Sequence, residues 1–576
     1  MRLDLFLIAS FLALPGVALP GWAQVTTGSL AGYVLDPNHQ AITSADVVAR
    51  DAGRGLERRT RTDRSGYYAI PELPPSTYEL RASAPGFETS SPRDVRVEVN
   101  SRPRVDLLLA LGQRRESVEV KGSAQRIQTE SSELGEVIDQ PRMDNLPLNR
   151  RGFLQLALLV PGVLPAVQDS ELSQRGGFAM HANGAREEFN DFLIDGVDNN
   201  DPYERSYVLQ PPVDSIQEFK MVTNSYSAEY GRGAGGQINL ITRSGSNHWH
   251  GSAYDYLRNR ALDARNFFDG ADKPKFIRNQ FGAGAGGPVI HDRTFFFLNF
   301  DGLRERRGLS RLASVPTAEE RAGNFSKLAK PVIDPFTRHP FSGNMIPQNR
   351  ISTVAQKILG LYPLPDRPGF AGNYLAQPVL TENTFQFTGR LDHHFSDHDL
   401  VTLRYSLGDQ DVFEPYTKES TDVPGFGDFV TNTGHNAMIQ YQRVLGPRTM
   451  NSLHLGFSRF FHQVLPQNHL IDAGALWGVP WLDMRARDLG YPALTIAGLS
   501  PLGDLTQLPL SRHSNTWQLA DGLAIVRGSH SMKVGGEIRY TRLRAILDYY
   551  SRGSLSFLGV ISGTGLSDLQ IGRAHV

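Results

Sequence analysis

From about residue 247 onward, apolar and polar positions alternate over long stretches. Phe385, Phe387, Gly389, Leu391 and Phe395 alternate with Gln386, Thr388, Arg390, Asp392 and His394. After the turn Ser396-Asp397-His398-Asp399, Val401, Leu403, Tyr405 and Leu407 alternate with Thr402, Arg404 and Ser406. A second hairpin runs from Ala437, Ile439 and Tyr441 through Leu445-Gly446-Pro447-Arg448 to Leu453, Leu455 and Phe457. A third runs from Trp517 and Leu519 through Arg527-Gly528-Ser529-His530 to Met532, Val534, Ile538 and Tyr540. Successive strand residues face opposite sides, so each segment is a strand with one apolar and one polar face. Long strands of this kind, joined by tight turns alternating with long loops, predict a transmembrane antiparallel β-barrel; a soluble sandwich gives similar alternation. Tyr254, Tyr256, Phe295 to Phe297, Phe300, Phe460 and Phe461 are expected at strand ends as an interfacial girdle. About a dozen strands are expected over 247–570.

The N-terminal pattern is different. Residues 28–111 carry short alternating strands every ten residues or so, punctuated by Asp36-Pro37-Asn38, Thr62-Asp63-Arg64-Ser65-Gly66 and Pro85-Gly86, which predicts a small β-sandwich. Glu57, Arg58, Arg59, Arg61 and Arg64 are expected on its solvated face. Residues 112–246 are mixed, with the short alternating strand Glu116-Ser117-Val118-Glu119-Val120 and a helix expected over Arg151–Leu159. At the very start, Arg2 precedes the apolar run Leu5–Leu14 and a small-residue exit at Trp22-Ala23-Gln24, the layout of a secretory signal peptide over 1–24. The run is too short to span about 30 Å of hydrocarbon as a helix.

Composition narrows the function classes. The 576 residues hold 59 Lys+Arg against 60 Asp+Glu, so no bulk electrostatic case for nucleic acid exists. There is no cysteine, which excludes disulfides, thiolate metal sites and cysteine nucleophiles. No Ser-His-Asp arrangement or paired carboxylates stand out, so no catalytic residue is assigned and no enzyme is expected. Gly282–Pro288 is rich in glycine but is followed by a strand, where a dinucleotide site needs a helix N-terminus. His393 and His394 are adjacent on a strand and point apart, His248 and His250 are a lone pair, and Asp195, Asp198 and Asp201 lack EF-hand spacing and are expected to be turn residues. No metal and no cofactor is expected.

The blocks Gly28-Ser29-Leu30-Ala31-Gly32, Gly66-Tyr67-Tyr68, Leu73-Pro74-Pro75 and Pro85-Gly86-Phe87 resemble the carboxypeptidase regulatory-like domain, a transthyretin-like sandwich without catalytic residues of its own. With Ile194-Asp195-Gly196-Val197-Asp198-Asn199-Asn200, Ser227-Ala228-Glu229-Tyr230-Gly231, Thr242-Arg243-Ser244-Gly245, Gly251–Asn259 and Phe281–Phe297, the whole chain resembles an Oar-like TonB-dependent outer-membrane transporter. The resemblance implies a mainly β chain: signal peptide 1–24, sandwich 25–111, α+β plug 112–246 and an incomplete barrel 247–570. It implies a plug motif at Arg186, Asn190, Asp195, Gly196, Asp198, Asn199 and Asn200. It also implies a TonB box at Glu116, Ser117, Val118, Glu119 and Val120. The implied partners are a TonB-type energy-transducing protein of the inner membrane, outer-membrane lipid and an unidentified bulky solute. The implied location is the outer membrane of a Gram-negative-type bacterium. The competing expectation is a surface adhesion or carbohydrate-binding protein without transport. Plugged barrels of this class need about 22 strands, so the sequence is expected to stop short of its last ones. Residues 571–576 read like a translated sequencing adapter and are expected not to be native.

Overall fold

The computed structural model describes residues 26–51, 53–112, 131–166, 178–265, 273–416, 421–482, 484–528 and 530–572. The expected signal peptide, Glu116–Val120 and residues 573–576 lie outside the described residues.

Seven strands form the N-terminal unit: β1 (Gly28–Leu35), β2 (Asp46–Asp51), β3 (Glu57–Arg61), β4 (Tyr67–Leu73), β5 (Ser76–Ser83), β6 (Arg93–Val97) and β7 (Leu107–Leu108). They make two sheets, ordered β4-β1-β7 and β3-β2-β5-β6, over a core that includes Leu30, Val47, Tyr68, Tyr78 and Leu80. The two buried tyrosines satisfy their hydroxyls on backbone carbonyls, Tyr68 on Val105 at 2.6 Å and Tyr78 on Pro74 at 2.8 Å. The sandwich is as expected, but its charge run is not all solvated. Strand alternation turns Arg58 inward between half-buried Glu57 and exposed Arg59, and its guanidinium donates to the Asp397 carbonyl at 2.7 Å.

A second unit follows: β8 (Leu134–Asp139), β9 (Val163–Pro165), β10 (Met180–Ala182), β11 (Asp191–Ile194), β12 (Val197–Asp198), β13 (Ile216–Asn224) and β14 (Gln237–Thr242). Five of these make a mixed sheet, β12-β11-β14-β13-β8, in which β11 and β14 run parallel. The helix expected over Arg151–Leu159 is replaced by two 3-10 segments, Asn149–Arg151 and Phe153–Leu159. Gly152 between them has φ −77° and ψ 99°, which interrupts helical geometry while Phe153, Leu154 and Leu156 still reach the core.

The third unit holds β15 (His250–Asn259), β16 (Phe276–Ile290), β17 (Thr294–Gly308), β18 (Arg311–Ala313), β19 (Tyr374–Ala376), β20 (Val379–Ser396), β21 (Asp399–Glu414), β22 (Asp428–Gly446), β23 (Thr449–Pro466), β24 (Ala493–Ile496), β25 (Leu510–Arg527), β26 (His530–Leu547) and β27 (Ser554–Phe557). Nine form one sheet, β15-β16-β17-β20-β21-β22-β23-β25-β26, with every pairing antiparallel. The remaining four pair within long connections rather than joining this wall, and β15 and β26 are its edges, so the wall is not closed. The glycine-rich Gly282–Pro288 stretch is strand throughout, paired with β17 along its length and with β15 as far as Gly286.

The wall inverts the usual rule of burial. Leu298, Leu403, Tyr405, Ile439, Leu455 and Tyr540 stand exposed on its outer face, whereas Asn299, Thr388, Arg404, Asn436, His454 and Gln518 are buried on its inner face. Only hydrocarbon outside and protein inside makes that arrangement favourable. Eight of the nine wall strands are 15–19 residues long, beyond the ~9–11 that cross a bilayer when tilted. The girdle expectation fails for Phe295, Phe297 and Phe460. Alternation puts them on the inner face, where Phe460 packs into the core of the second unit. Short turns lie at one end of the wall, and the sandwich docks there: Arg448 donates to the Arg61 carbonyl at 3.0 Å, and Val526 packs with Ala31, Tyr67 and Ala69. Long connections at the other end share a core of their own around Phe325, Trp477, Tyr491, Phe557 and Leu566.

Candidate functional site

The β11–β12 hairpin turns on Asp195 and Gly196, with φ of 47° and 76°. A two-residue type I′ connection needs positive φ at both central positions, and Asp-Gly supplies it cheaply. The hairpin tip thereby meets the inner face of the wall. Asp195 accepts from the Thr242 amide at 2.9 Å and the Thr242 hydroxyl at 2.7 Å, and pairs with Arg404 Nε at 3.2 Å. Arg390 stands 3.7 Å away on the other oxygen. Arg404, fully buried on β21, also donates to the Ile194 carbonyl at 3.0 Å and to Asn436 Oδ1 at 2.6 Å.

Three residues on from Asp195, Asp198 pairs with Arg539 of β26 at 3.0 Å and with Arg232 at 3.2 Å. Its amide donates to Gln518 Oε1 at 2.9 Å, while its carbonyl accepts from Asn436 Nδ2 at 2.8 Å. Gln518 Nε2 in turn donates to the Gly196 carbonyl at 3.1 Å. Farther along, Arg512 of β25 pairs with Glu204 at 2.6 Å and Asp201 at 3.3 Å. The contact is possible because the wall is thin here: a Cβ on Gly456 would lie 2.8 Å from Val197 Cγ1, and one on Gly434 would lie 2.7 Å from Leu209 Cδ2.

Asp195, Gly196 and Asp198 therefore meet the wall directly. Asn190, Asn199 and Asn200 work inside the second unit: Asn190 accepts from the Gly236 amide at 2.8 Å, Asn199 brackets Leu209, and Asn200 donates to Asp191 at 2.7 Å. Arg186 is exposed at the start of the turn Glu187–Phe189, apart from this network. Asp191 beneath Asn200 is buried, and burial pushes its carboxyl up to about 7, with Asp198 adding to the shift against Arg539 and Arg232. The aspartates expected to be simple turn residues are thus ion-pair partners. Their partners Arg404, Asn436, Arg512, Gln518 and Arg539 were not anticipated as a set. Their signal was the recurrence of large polar residues at inward strand positions.

A second contact ties the same unit to the sandwich. Glu218, fully buried on β13, accepts from the Val99 amide at 2.6 Å and from Arg96 at 3.1 Å; burial raises its carboxyl to about 7. Lys220 donates to the Asn100 carbonyl at 2.9 Å and pairs with Glu133 at 2.7 Å. On the long-loop side, between the second unit and the wall, lies a cavity of about 340 Å³ that opens among Arg150, Tyr207, Gln386, Gln410 and Asn432.

Polar wall, luminal insert and apolar exterior define an outer-membrane β-barrel protein. The family model described as "Outer membrane beta barrel domain" matches residues 241–575, and the chain belongs to that family; its site is the outer membrane. The "Carboxypeptidase regulatory-like domain" model matches residues 29–110. The chain is 29% identical over 299 residues to "TonB-dependent transporter Oar" of Myxococcus xanthus, a match covering 48% of this chain and 27% of that protein. It thus spans about a quarter of the length of the curated relative it matches. Among solved structures, the outer membrane transporter YddB from Escherichia coli aligns with a TM-score of 0.47 and 11% identity, over 74% of this chain and 50% of that one. The siderophore receptor PirA from Acinetobacter baumannii aligns with a TM-score of 0.42 and 15% identity, over 72% and 48%. No helix among the described residues is long and apolar enough to cross a membrane.

Proposed function

We propose that the chain is a TonB-dependent outer-membrane receptor and transporter, in which residues 112–246 plug the barrel built from 247–570 and the sandwich 25–111 braces the plug from below. One observation supports this above all: the buried ion pairs of Asp195 and Asp198 with Arg404 and Arg539 hold a folded insert against the inner face of the wall. A wide barrel without such an insert leaks. Opening needs work from outside the membrane, because the outer membrane offers no nucleotide. Glu116–Val120 is the segment that would add as a strand to a TonB-type energy-transducing protein of the inner membrane. Nothing in this scheme requires a catalytic residue or a cofactor; the cargo is a bulky solute.

The test uses the full-length protein in its native cells, with and without Glu116–Val120. Mass spectrometry of the medium reads which compounds each strain depletes. Transport predicts compounds depleted only by the intact protein, while surface adhesion of the cells stays unchanged. Equal depletion together with lost adhesion would favour the adhesin reading.

A further inference from the structure

Resting on the transporter reading above, we infer that the 340 Å³ cavity between plug and wall selects a solute without acidic groups that presents both hydrogen-bond donors and acceptors, a polyhydroxyl or polyamide compound. The volume lies in the range of small-molecule sites, ~300–1,000 Å³.

The cavity contains ionised groups, yet each of its arginines is already paired by the protein. Arg150 pairs with Glu382, Arg151 with Asp214 at 2.7 Å, and Arg512 with Glu204 at 2.6 Å. Asp301 accepts from the Tyr254 hydroxyl and from Gln280, and Asp409 accepts from the Thr433 hydroxyl at 2.7 Å. A carboxylate- or phosphate-bearing solute would therefore lose its water without gaining an open countercharge.

What the cavity does offer is carboxamide. On the wall, Asn432 Nδ2 donates to Gln410 Oε1 at 2.9 Å, and Gln410 Nε2 donates to Glu382 at 2.9 Å. His462 Nδ1 lies 2.5 Å from Asn432 Oδ1 at the far end of the same chain. Each amide has two donor hydrogens and two acceptor lone pairs, so these bonds leave further positions open on each. Gln386 lines the cavity half-buried and has no side-chain partner among the described residues. Asn149, Gln155 and Gln210 supply the same chemistry from the plug. Amides on both sides bind donors and acceptors alike, whereas arginines held in pairs leave no open charge for an acidic solute. Phe178 and Phe460 add apolar faces for the carbon skeleton of such a solute.

The test incubates the purified full-length protein with four mixtures: neutral oligosaccharides, N-acetylated peptide amides without charged side chains, sulfated oligosaccharides, and acidic peptides. Retained compounds are identified by mass spectrometry. Retention from a neutral mixture is expected, and which of the two retains tells a polyhydroxyl source from a polyamide one. Gln410→Leu should weaken retention at least tenfold. Gln386→Glu, which disturbs no internal hydrogen bond, should do the same and provides the check if Gln410→Leu fails to fold. Retention from the charged mixtures alone, or from none, overturns the inference, as does unchanged neutral binding in Gln386→Glu. The two readings fail separately. A neutral compound that binds but is not taken up leaves the selectivity standing and removes transport; an anionic compound that is bound and taken up does the reverse.

Discussion

Arg404→Met removes the cation that Asp195 meets at the wall. Truncating one member of a buried pair costs about 3–5 kcal/mol, because the other charge stays buried without its partner. Asp195 keeps both Thr242 bonds, at 2.9 and 2.7 Å, and the more distant Arg390 at 3.7 Å, which places the cost near the lower end, about 3 kcal/mol. With a urea slope of about 1–3 kcal/mol/M, the midpoint for undocking the plug should fall by about 1–3 M. Because the sequence has no cysteine, Val197→Cys gives a single reporter thiol at the plug–wall contact. Its maleimide labelling against urea reads undocking directly. Asp195→Asn in the Arg404→Met background removes the stranded charge and should recover most of the loss, since the pair is replaced by neutral groups. A midpoint within 0.3 M of the parent (about a tenth of the larger expected shift), or a double variant no better than the single one, would refute the view that this pair holds the plug.

Three further outcomes follow from the same geometry. Raising the Glu218 carboxyl from 4.5 to about 7 makes its ionisation about 3 kcal/mol costlier in the folded chain than in the unfolded one. The folded state keeps a proton that the unfolded state releases, so this contribution is fully present below pH 4.5 and is lost as pH rises through 7. Urea titrations of Glu218→Gln between those limits should show a flatter pH dependence than the parent. Gly456→Val places branched carbon where a Cβ already lies 2.8 Å from Val197 Cγ1, and should weaken docking by about 1–3 kcal/mol in the same labelling assay. Lys220→Met strands the buried Glu133 carboxylate and should cost about 3–5 kcal/mol, read as proteolytic release of the sandwich from the plug at lower urea.

The fold was legible wherever period alone decides the face. The three hairpins around Ser396-Asp397, Gly446-Pro447 and Gly528 are strands with tight turns in the expected places, because two-residue periodicity and turn chemistry are local. The Asp195-Gly196 turn was equally legible, since its dihedrals are a property of those two residues. What stayed hidden depends on what lies across a gap. Arg404 reads as an ordinary polar-face residue until the β11–β12 hairpin brings Asp195 to it from more than 200 positions earlier. Phe460 read as a girdle residue because period gives a face but not which face meets lipid. Arg58 read as solvated because a single strand cannot announce the barrel turn that covers it.

The central claim is that the plug must move against the wall for solute to pass. Val197→Cys with Gly456→Cys places two thiols at a close plug–wall approach, in a sequence with no other cysteine. Cells carrying this pair in the full-length protein are assayed for depletion of the compounds that only the intact parent takes from the medium, first oxidised and then reduced. The account predicts that the disulfide stops uptake and that reductant restores it. Uptake at the parental rate through a fully cross-linked protein would contradict it.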